Sequence, residues 1–322
     1  MTWTPVLPEA ELSAPEPALL MPLTHLAVIE ASGADATAFL HAQLSNDVQG
    51  LPPGRSLLAG YCNAKGRLYA LPRLWRRGDD WRLCVPADIA DAVLKRLRMF
   101  VLRSKVTLTR RDDLTLFGVA SDGAAQCLRR AGLPAPDAID GVESTGDTSV
   151  LRLPGATPRF QICVPDAAAP ACWTALSTGA QPAPTSVWRL LDIDAGQPAI
   201  YTPTLEAFVP QMVNLELIGG VSFKKGCYPG QEIVARMHYL GKPSRRMYRW
   251  QAAAAPAPGT PVLDEADREV GTVVDAQAAA DGAHLLAVLQ RGKDSAALHL
   301  PGGERLAGLD LPYAVDEAVS TD

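Results

Sequence analysis

The chain has 322 residues, 48% of them hydrophobic and 20% charged, with a formal net charge of -5 at pH 7. That length and composition exclude a disordered chain or a small disulfide-stapled domain, and predict about two or three domains with substantial cores. The acidic balance argues against indiscriminate nucleic-acid binding, and no apolar run approaches the roughly 18–20 residues that span a bilayer.

The first 22 residues carry Glu9, Glu11, Glu16 and five prolines but no basic residue. They read as a flexible leader and not as a secretory signal, so a cytoplasmic protein without a membrane partner is expected. Residues 24–30 have strand character, and Ser32 is placed to cap a helix with Ala36, Phe39, Leu40, Gln43 and Leu44 on one face. A hairpin follows, with arms at 56–62 and 67–74 joined across Asn63-Ala64-Lys65-Gly66. A strand at 80–85, a helix over 88–101 and a strand at 106–109 complete a β-α-β-β-β-α-β order, which predicts an α+β layer of ferredoxin-like character.

Strands are next predicted at 114–119, 149–153 and 159–164, with a short helix around Trp173 and another helix starting near Ser186. The Pro/Ala-rich run 251–261 reads as a flexible joint or a long turn. Beyond it, short runs at 262–264, 270–275 and 284–290 predict a small all-β module.

Six cysteines are scattered without any C-x-x-C, which leaves zinc and self-contained iron–sulfur sites without their usual ligand spacing, so no metal site is assigned. Cationic residues are uneven. Residues 92–111 hold Lys95, Arg96, Arg98, Arg103, Lys105, Arg110 and Arg111 and no acid, and residues 222–250 hold seven more basic residues against Glu232. Such runs are either solvated faces or a site for an anion.

The segment richest in chemistry is Lys225-Gly226-Cys227-Tyr228-Pro229-Gly230-Gln231-Glu232. Pro229 suits a first helical turn and Glu232 the positive end of a helix dipole. Cys227 is therefore expected just before a helix N-terminus with Lys224 and Lys225 nearby, an environment that stabilises a thiolate. The alternative is a tight turn whose sulfur only packs.

This run resembles the signature of the YgfZ-type folate-binding proteins, relatives of the glycine-cleavage T-protein (aminomethyltransferase). Residues 39–48, 61–67, 204–215 and 241–248 also resemble segments of that family, so the likeness extends from about 24 to 250. The resemblance implies a three-lobed T-protein-like architecture around a central cavity. Its parts would be a leader (1–22), a folate-cavity core of two α+β subdomains (23–245) and a C-terminal small β-barrel (246–322).

It further implies a tetrahydrofolate cofactor, in some forms polyglutamylated, and a role in maintaining four-iron enzymes, among them radical enzymes that methylthiolate tRNA. Iron–sulfur enzymes or cluster-assembly proteins are the implied partners. Cys227 matches the cysteine on which that role depends, and Lys225, Gly226, Tyr228, Gly230, Gln231 and Glu232 match the rest of the signature. Trp188 matches an aromatic associated with folate contact, whereas a second such aromatic is replaced near Leu26.

For the ligand, Trp188 is a candidate to cover a pterin face, Asp194 to meet its amino edge, and Lys65 and Arg67 to meet carboxylates. The T-protein carries an acidic pair in the second hairpin arm, where this chain has Tyr69-Ala70. Aminomethyl transfer, the first alternative function, therefore lacks its usual acid–base group. An RNA-binding module using the basic runs is the second alternative.

Overall fold

The computed structural model describes residues 3–5, 17–239, 241, 243–293 and 297–315. Its first strand, β1 (Ala18–Pro22), lies inside the expected leader. Leu20, Met21 and Pro22 are buried there, because β1 pairs antiparallel with β9 (Leu114–Ala120) and parallel with β13 (Ala180–Pro182). Trp3 packs edge-on against Phe117 and Trp173. The leader is thus anchored at both described ends, while residues 6–16 lie outside the described residues.

The first sheet has the order β3 (Ser56–Leu58), β6 (Arg73–Arg77), β7 (Asp80–Pro86), β2 (Leu26–Ser32) and β8 (Thr107–Arg110), antiparallel throughout. The hairpin extends into a two-stranded ribbon of β4 (Tyr61–Cys62) and β5 (Leu68–Ala70). Helix α1 (Ala36–Gln43) begins after Asp35, whose carboxylate accepts from the Lys105 amide, so Ser32 belongs to the strand and does not cap. Helix α2 (Ala90–Arg98) stops short of the expected 101 in a turn where Leu102 adopts φ 43°.

The second sheet runs β10 (Val142–Thr145), β11 (Thr148–Leu153), β12 (Arg159–Pro165), β9, β1, β13. Helices α3 (Ala124–Arg130) and α4 (Ala169–Ser177) share a core with it. Every residue of β9 is buried, the signature of a strand covered on both faces. One cover is α3 and α4. The other is the first sheet, since Val28, Trp75 and Cys84 share a core with Leu116, Leu151 and Cys163.

The third sheet contains β14 (Arg245–Ala252), β15 (Pro261–Leu263), β16 (Glu269–Ala279), β17 (Gly282–Gln290) and β18 (Ala307–Leu309), in the order β15-β16-β17-β14-β18. It is an open sheet and not the expected barrel. Among the described residues its edges are linked only through isolated bridges, Leu263 with His299 and His299 with Arg305. The run 251–261 is a connection inside this sheet, between β14 and β15, and so the long turn of its two readings and not a joint between domains. Along β17, Leu285, Ala287 and Leu289 face the sheet's own core while Leu286 and Val288 join the core of the first sheet. Among the described residues no helix is long and apolar enough to cross a membrane.

Helix α5 (Thr185–Asp194) sits where the sheets meet. Trp188 is 1% exposed and its indole lies against Gly118 of β9; a Cβ on that glycine would stand 2.6 Å from Cζ3. Arg189 pairs with Asp275 of β16, which also accepts from Tyr201 Oη at 3.0 Å. A bulge between Val273 and Asp275 sets Val274 and Asp275 consecutively on the face toward α5. Asp194 accepts from Arg249 at 3.1 Å and lies 2.7 Å from His284 Nδ1.

Two outcomes follow from this joint. Gly118→Ala overpacks the Trp188 site and should lower unfolding free energy by about 1–3 kcal/mol, read as a lower urea midpoint; an unchanged midpoint contradicts the packing. Burial, assisted by the charge of Arg189, pushes His25 down to about 3. Between pH 6.5 and 3 the unfolded chain therefore binds the extra proton, and the contribution is complete above 6.5 and lost as pH falls. His25→Gln should flatten the fall in stability between pH 7.5 and 5 by on the order of 1 kcal/mol, and an identical pH profile would count against it.

Candidate functional site: an α5 cavity and an exposed thiol loop

A cavity of about 90 Å³ lies beside α5, walled by side chains from all three sheets. Arg73 and Cys84 come from the first, Arg159 and Gln161 from the second and Asp275 from the third, with His25, Leu26, Trp188, Asp192 and Tyr201 completing its polar and apolar lining. The strand period explains the second sheet's contribution: Arg159 and Gln161 lie two apart on β12 and so point to one face.

Arg159 is held in place on several sides. Its guanidinium lies 5.2 Å from the centre of the Trp188 ring, Nη1 donates to Asp192 at 2.6 Å and Nε to the Pro154 carbonyl at 2.8 Å. The Gln161 amide reaches the Cys84 thiol, whereas Arg159 Nη2 and His25 Nδ1 are buried without a hydrogen-bond partner. Unmatched buried donors are costly, so these atoms give the cavity a hydrogen-bonding demand.

A larger cavity of about 450 Å³ adjoins it in sequence, with Leu26 common to both linings. Arg110 and Arg111 line this second space. Each is already paired, Arg110 with Asp91 and Asp112, Arg111 with Glu30 and Asp113. Two of the seven cations in the other basic run are likewise committed, Arg246 to Glu216 and Arg249 to Asp194.

The signature loop stands elsewhere. Cys227 is exposed and is not among the residues lining the α5 cavity. Lys225 is buried, and its Nζ donates to the carbonyls of His41 and Leu44 (2.6 Å), two of the carbonyls left open at the end of α1. Burial pushes this amine down to about 8, against the opposing pull of Asp47 and the Cys227 sulfur. Lys225 also lies 4.9 Å from the Tyr228 ring centre, and burial pushes the Tyr228 hydroxyl up.

Gly230, at φ 80°, packs directly on the hairpin tip, where a Cβ would meet Gly66 Cα at 2.6 Å; only glycine serves both demands. Gln231 and Glu232 open α6 (Gln231–Tyr239) as expected. Gly226 is exposed, with open space where a Cβ would go.

Of the sequence-derived ligand candidates, only Trp188 lines the α5 cavity. Its buried ring lies 5.2 Å from the Arg159 guanidinium, which lines the same space. Asp194 faces the third sheet, whereas Asp192, roughly 200° away around the helix at 100° per residue, lines the cavity. Arg67 donates to the Ala207 carbonyl at 2.5 Å and Lys65 is exposed at the hairpin tip. Arg159 and Gln161 were missed; two polar residues at i and i+2 in the otherwise apolar run R-F-Q-I-C-V-P were the available signal. The hairpin does receive a carboxylate, but from Glu206, whose acidity is strengthened by hydrogen bonds from Tyr69 and Asn63 with Arg96 and Lys65 nearby. Among the described residues no group of three or more His, Cys, Asp or Glu is arranged to hold a metal ion.

No family model matches the chain. It is 33% identical over 324 residues to the tRNA-modifying protein YgfZ of Edwardsiella ictaluri, covering 97% of this chain and 98% of that protein. The YgfZ of Cronobacter sakazakii is 32% identical over 329 residues, 99% and 100% of the two chains. The crystal structure of the glycine cleavage aminomethyltransferase T from Bartonella henselae superposes with a TM-score of 0.76 at 18% identity, over 93% of this chain and 87% of that one, a likeness of fold. At this identity and coverage the chain belongs to the YgfZ family.

Proposed function

We propose that this protein binds tetrahydrofolate in the α5 cavity, with the three sheets as three lobes around it, and supports the upkeep of iron–sulfur enzymes, tRNA-modifying ones among them, through Cys227. The observation that carries the folate reading is the presence of buried polar atoms without a protein partner, Arg159 Nη2 and His25 Nδ1, on residues that line the cavity. A pterin offers ring nitrogens and a carbonyl to such donors, and its amino edge suits the Asp192 carboxylate. Pockets for ligands of this size usually hold about 300–1,000 Å³, so admission of the ring moves Leu26 and His25, both only partly buried. The glutamate tail then passes Leu26 toward the larger cavity and its arginines. Bound tetrahydrofolate supplies one-carbon or reducing chemistry; the chain's own residues bind, orient and exclude water.

Cys227 is the second component. One thiolate cannot hold a four-iron cluster, which takes four ligands, so its work is done on a partner's cluster and not on one stored here. Aminomethyl transfer has the support of fold likeness alone, and β5 carries no carboxylate.

Isothermal titration with tetrahydrofolate tests the cavity. Gln161→Met and Asp192→Asn should each weaken binding tenfold or more, about 1.4 kcal/mol; wild-type affinity in both, or no binding by the wild type, rejects the site. For the thiol, iodoacetamide at pH 8 should label Cys227 first in the folded protein. Burial pushes Cys62 and Cys84 up to about 12 and Cys163 and Cys172 to about 11. Cys227→Ser should fold normally yet fail to restore cluster-enzyme activity in a strain lacking this protein, and full rescue would remove the thiol from the mechanism.

A further inference from the structure

The exposed apolar residues are not scattered. Of the six large hydrophobic side chains that are exposed among the described residues, five are Met99, Phe100, Leu102, Ile233 and Tyr239, and only Ile139 falls elsewhere. Those five mark the two ends of one continuous strip that passes the thiol loop.

The strip can be followed contact by contact. At one end Phe223 stacks on His238 at 3.6 Å, with Tyr239 edge-on to both; Phe223 is four residues from Cys227. The loop's Gly230 lies on the hairpin tip, and Ile233 touches it, a Cβ on Gly66 falling 3.1 Å from Ile233 Cβ. Asn63 of the same hairpin bonds Tyr69, which bonds Glu206. The Arg96 guanidinium stacks on Tyr69 at 3.9 Å and lies 5.8 Å from the Phe100 ring. Past Phe100 the turn projects Met99 at 56% and Leu102 at 87% exposure.

Charge follows the same line. On the elements that form it, seven cations, Lys65, Lys95, Arg98, Arg103, Lys105, Lys224 and Arg236, are exposed against three acids, Asp91, Glu206 and Glu232, in a protein whose net charge is -5. Arg98 is anchored to the Leu108 carbonyl at 2.6 Å and Lys65 lies near Glu206, whereas among the described residues Arg103 and Lys105 have no acidic partner at salt-bridge distance. Exposed Met, Phe, Tyr and Arg together have the composition of a protein interface. Nucleic-acid platforms rely on aromatic stacking and phosphate contacts, and have no use for a leucine thrust into solvent at φ 43°.

We propose that this strip is the docking face for the cluster-bearing partner, an iron–sulfur protein presenting an acidic surface with an apolar pocket. Leu102 and Met99 enter the pocket, Arg103 and Lys105 meet the acidic rim, and the partner's edge is brought over Cys227. The proposal rests on the thiol reading above and adds to it where the partner sits.

The test uses the full-length protein with a purified tRNA methylthiotransferase carrying its four-iron cluster as the probe, and total tRNA as the competing ligand, by biolayer interferometry. Met99→Asp/Leu102→Asp and Arg103→Glu/Lys105→Glu should each weaken the enzyme complex tenfold or more, the second pair with a reduced salt dependence, while Ile139→Asp binds as wild type. Both pairs change solvent-exposed side chains, and retained folate titration and Cys227 labelling confirm the fold. Wild-type binding that survives both pairs overturns the docking face and leaves the thiol reading standing. No binding by the wild type overturns both. Loss of tRNA affinity without loss of enzyme affinity assigns the strip to RNA and overturns the proposal.

Discussion

The arrangement of the whole molecule depends on one ten-residue helix, α5, acting as a joint. Successive helical side chains point about 100° apart, so a helix at the meeting of three bodies can give a stripe to each. Trp188 goes to the second sheet, Arg189 to the third, Asp192 back to Arg159, Ile193 into the core of the first sheet and Asp194 to the third again. In two of the charged contacts one partner is buried, Arg159 against Asp192 and Asp275 against Arg189, whereas the Asp194 pair is partly exposed. Replacing such a pair by apolar residues can be neutral, but removing one partner leaves an uncompensated charge and costs about 3–5 kcal/mol. Specific docking of the third sheet therefore rests on Asp275, and the bulge that turns it toward Arg189 is part of the joint. The cavity is the space this joint leaves unfilled, which is why its lining is drawn from residues far apart in sequence.

What the sequence made legible was local. The β-α-β-β-β-α-β order of the first sheet could be read because each element carries its own apolar period and its own turn residues. β1 could not. Ala18–Pro22 is short, prolines flank it, and its burial is decided by pairing with residues about a hundred and a hundred and sixty positions later. Asp194 was the carboxylate singled out on α5, but Asp192 is the one that lines the cavity; the two sit on nearly opposite sides of the helix, and nothing in ten residues says which side faces a cavity. The open third sheet was read as a barrel because short alternating strands are common to both. Closure depends on how the 297–306 segment pairs, and here that is two bridges.

The signature loop divides into residues with a structural reason and residues without one. Lys225 closes the C-terminal carbonyls of α1, Tyr228 is buried under it, and Gly230 admits the hairpin. Each of those residue types would be required for the loop to sit where it does even if no ligand existed. Cys227 has no such reason. It is exposed, and the neighbours on either side of it, Lys225 and Tyr228, are buried. An exposed side chain, displayed on a loop that is costly to build, is best understood by its chemistry.

The separation of thiol and cavity then constrains mechanism. Direct transfer between folate and Cys227 needs reacting atoms about 3–3.5 Å apart, and the thiol is absent from the cavity lining. A physical connection does exist. Residues 197–201 form part of the cavity wall, 206–208 pair with Leu68 of β5 through Glu206 N and Phe208 O, and β5 leads into the hairpin tip on which Gly230 rests. Continuity of this kind becomes coupling only where the connecting element has two arrangements that both sites bias. The cavity's small volume supplies the candidate for that second arrangement, because a pterin enters only after the wall has moved. Under the proposed reading, folate in the cavity would reach the thiol loop through the 197–208 segment and the hairpin, because Cys227 is not among the residues that line the cavity.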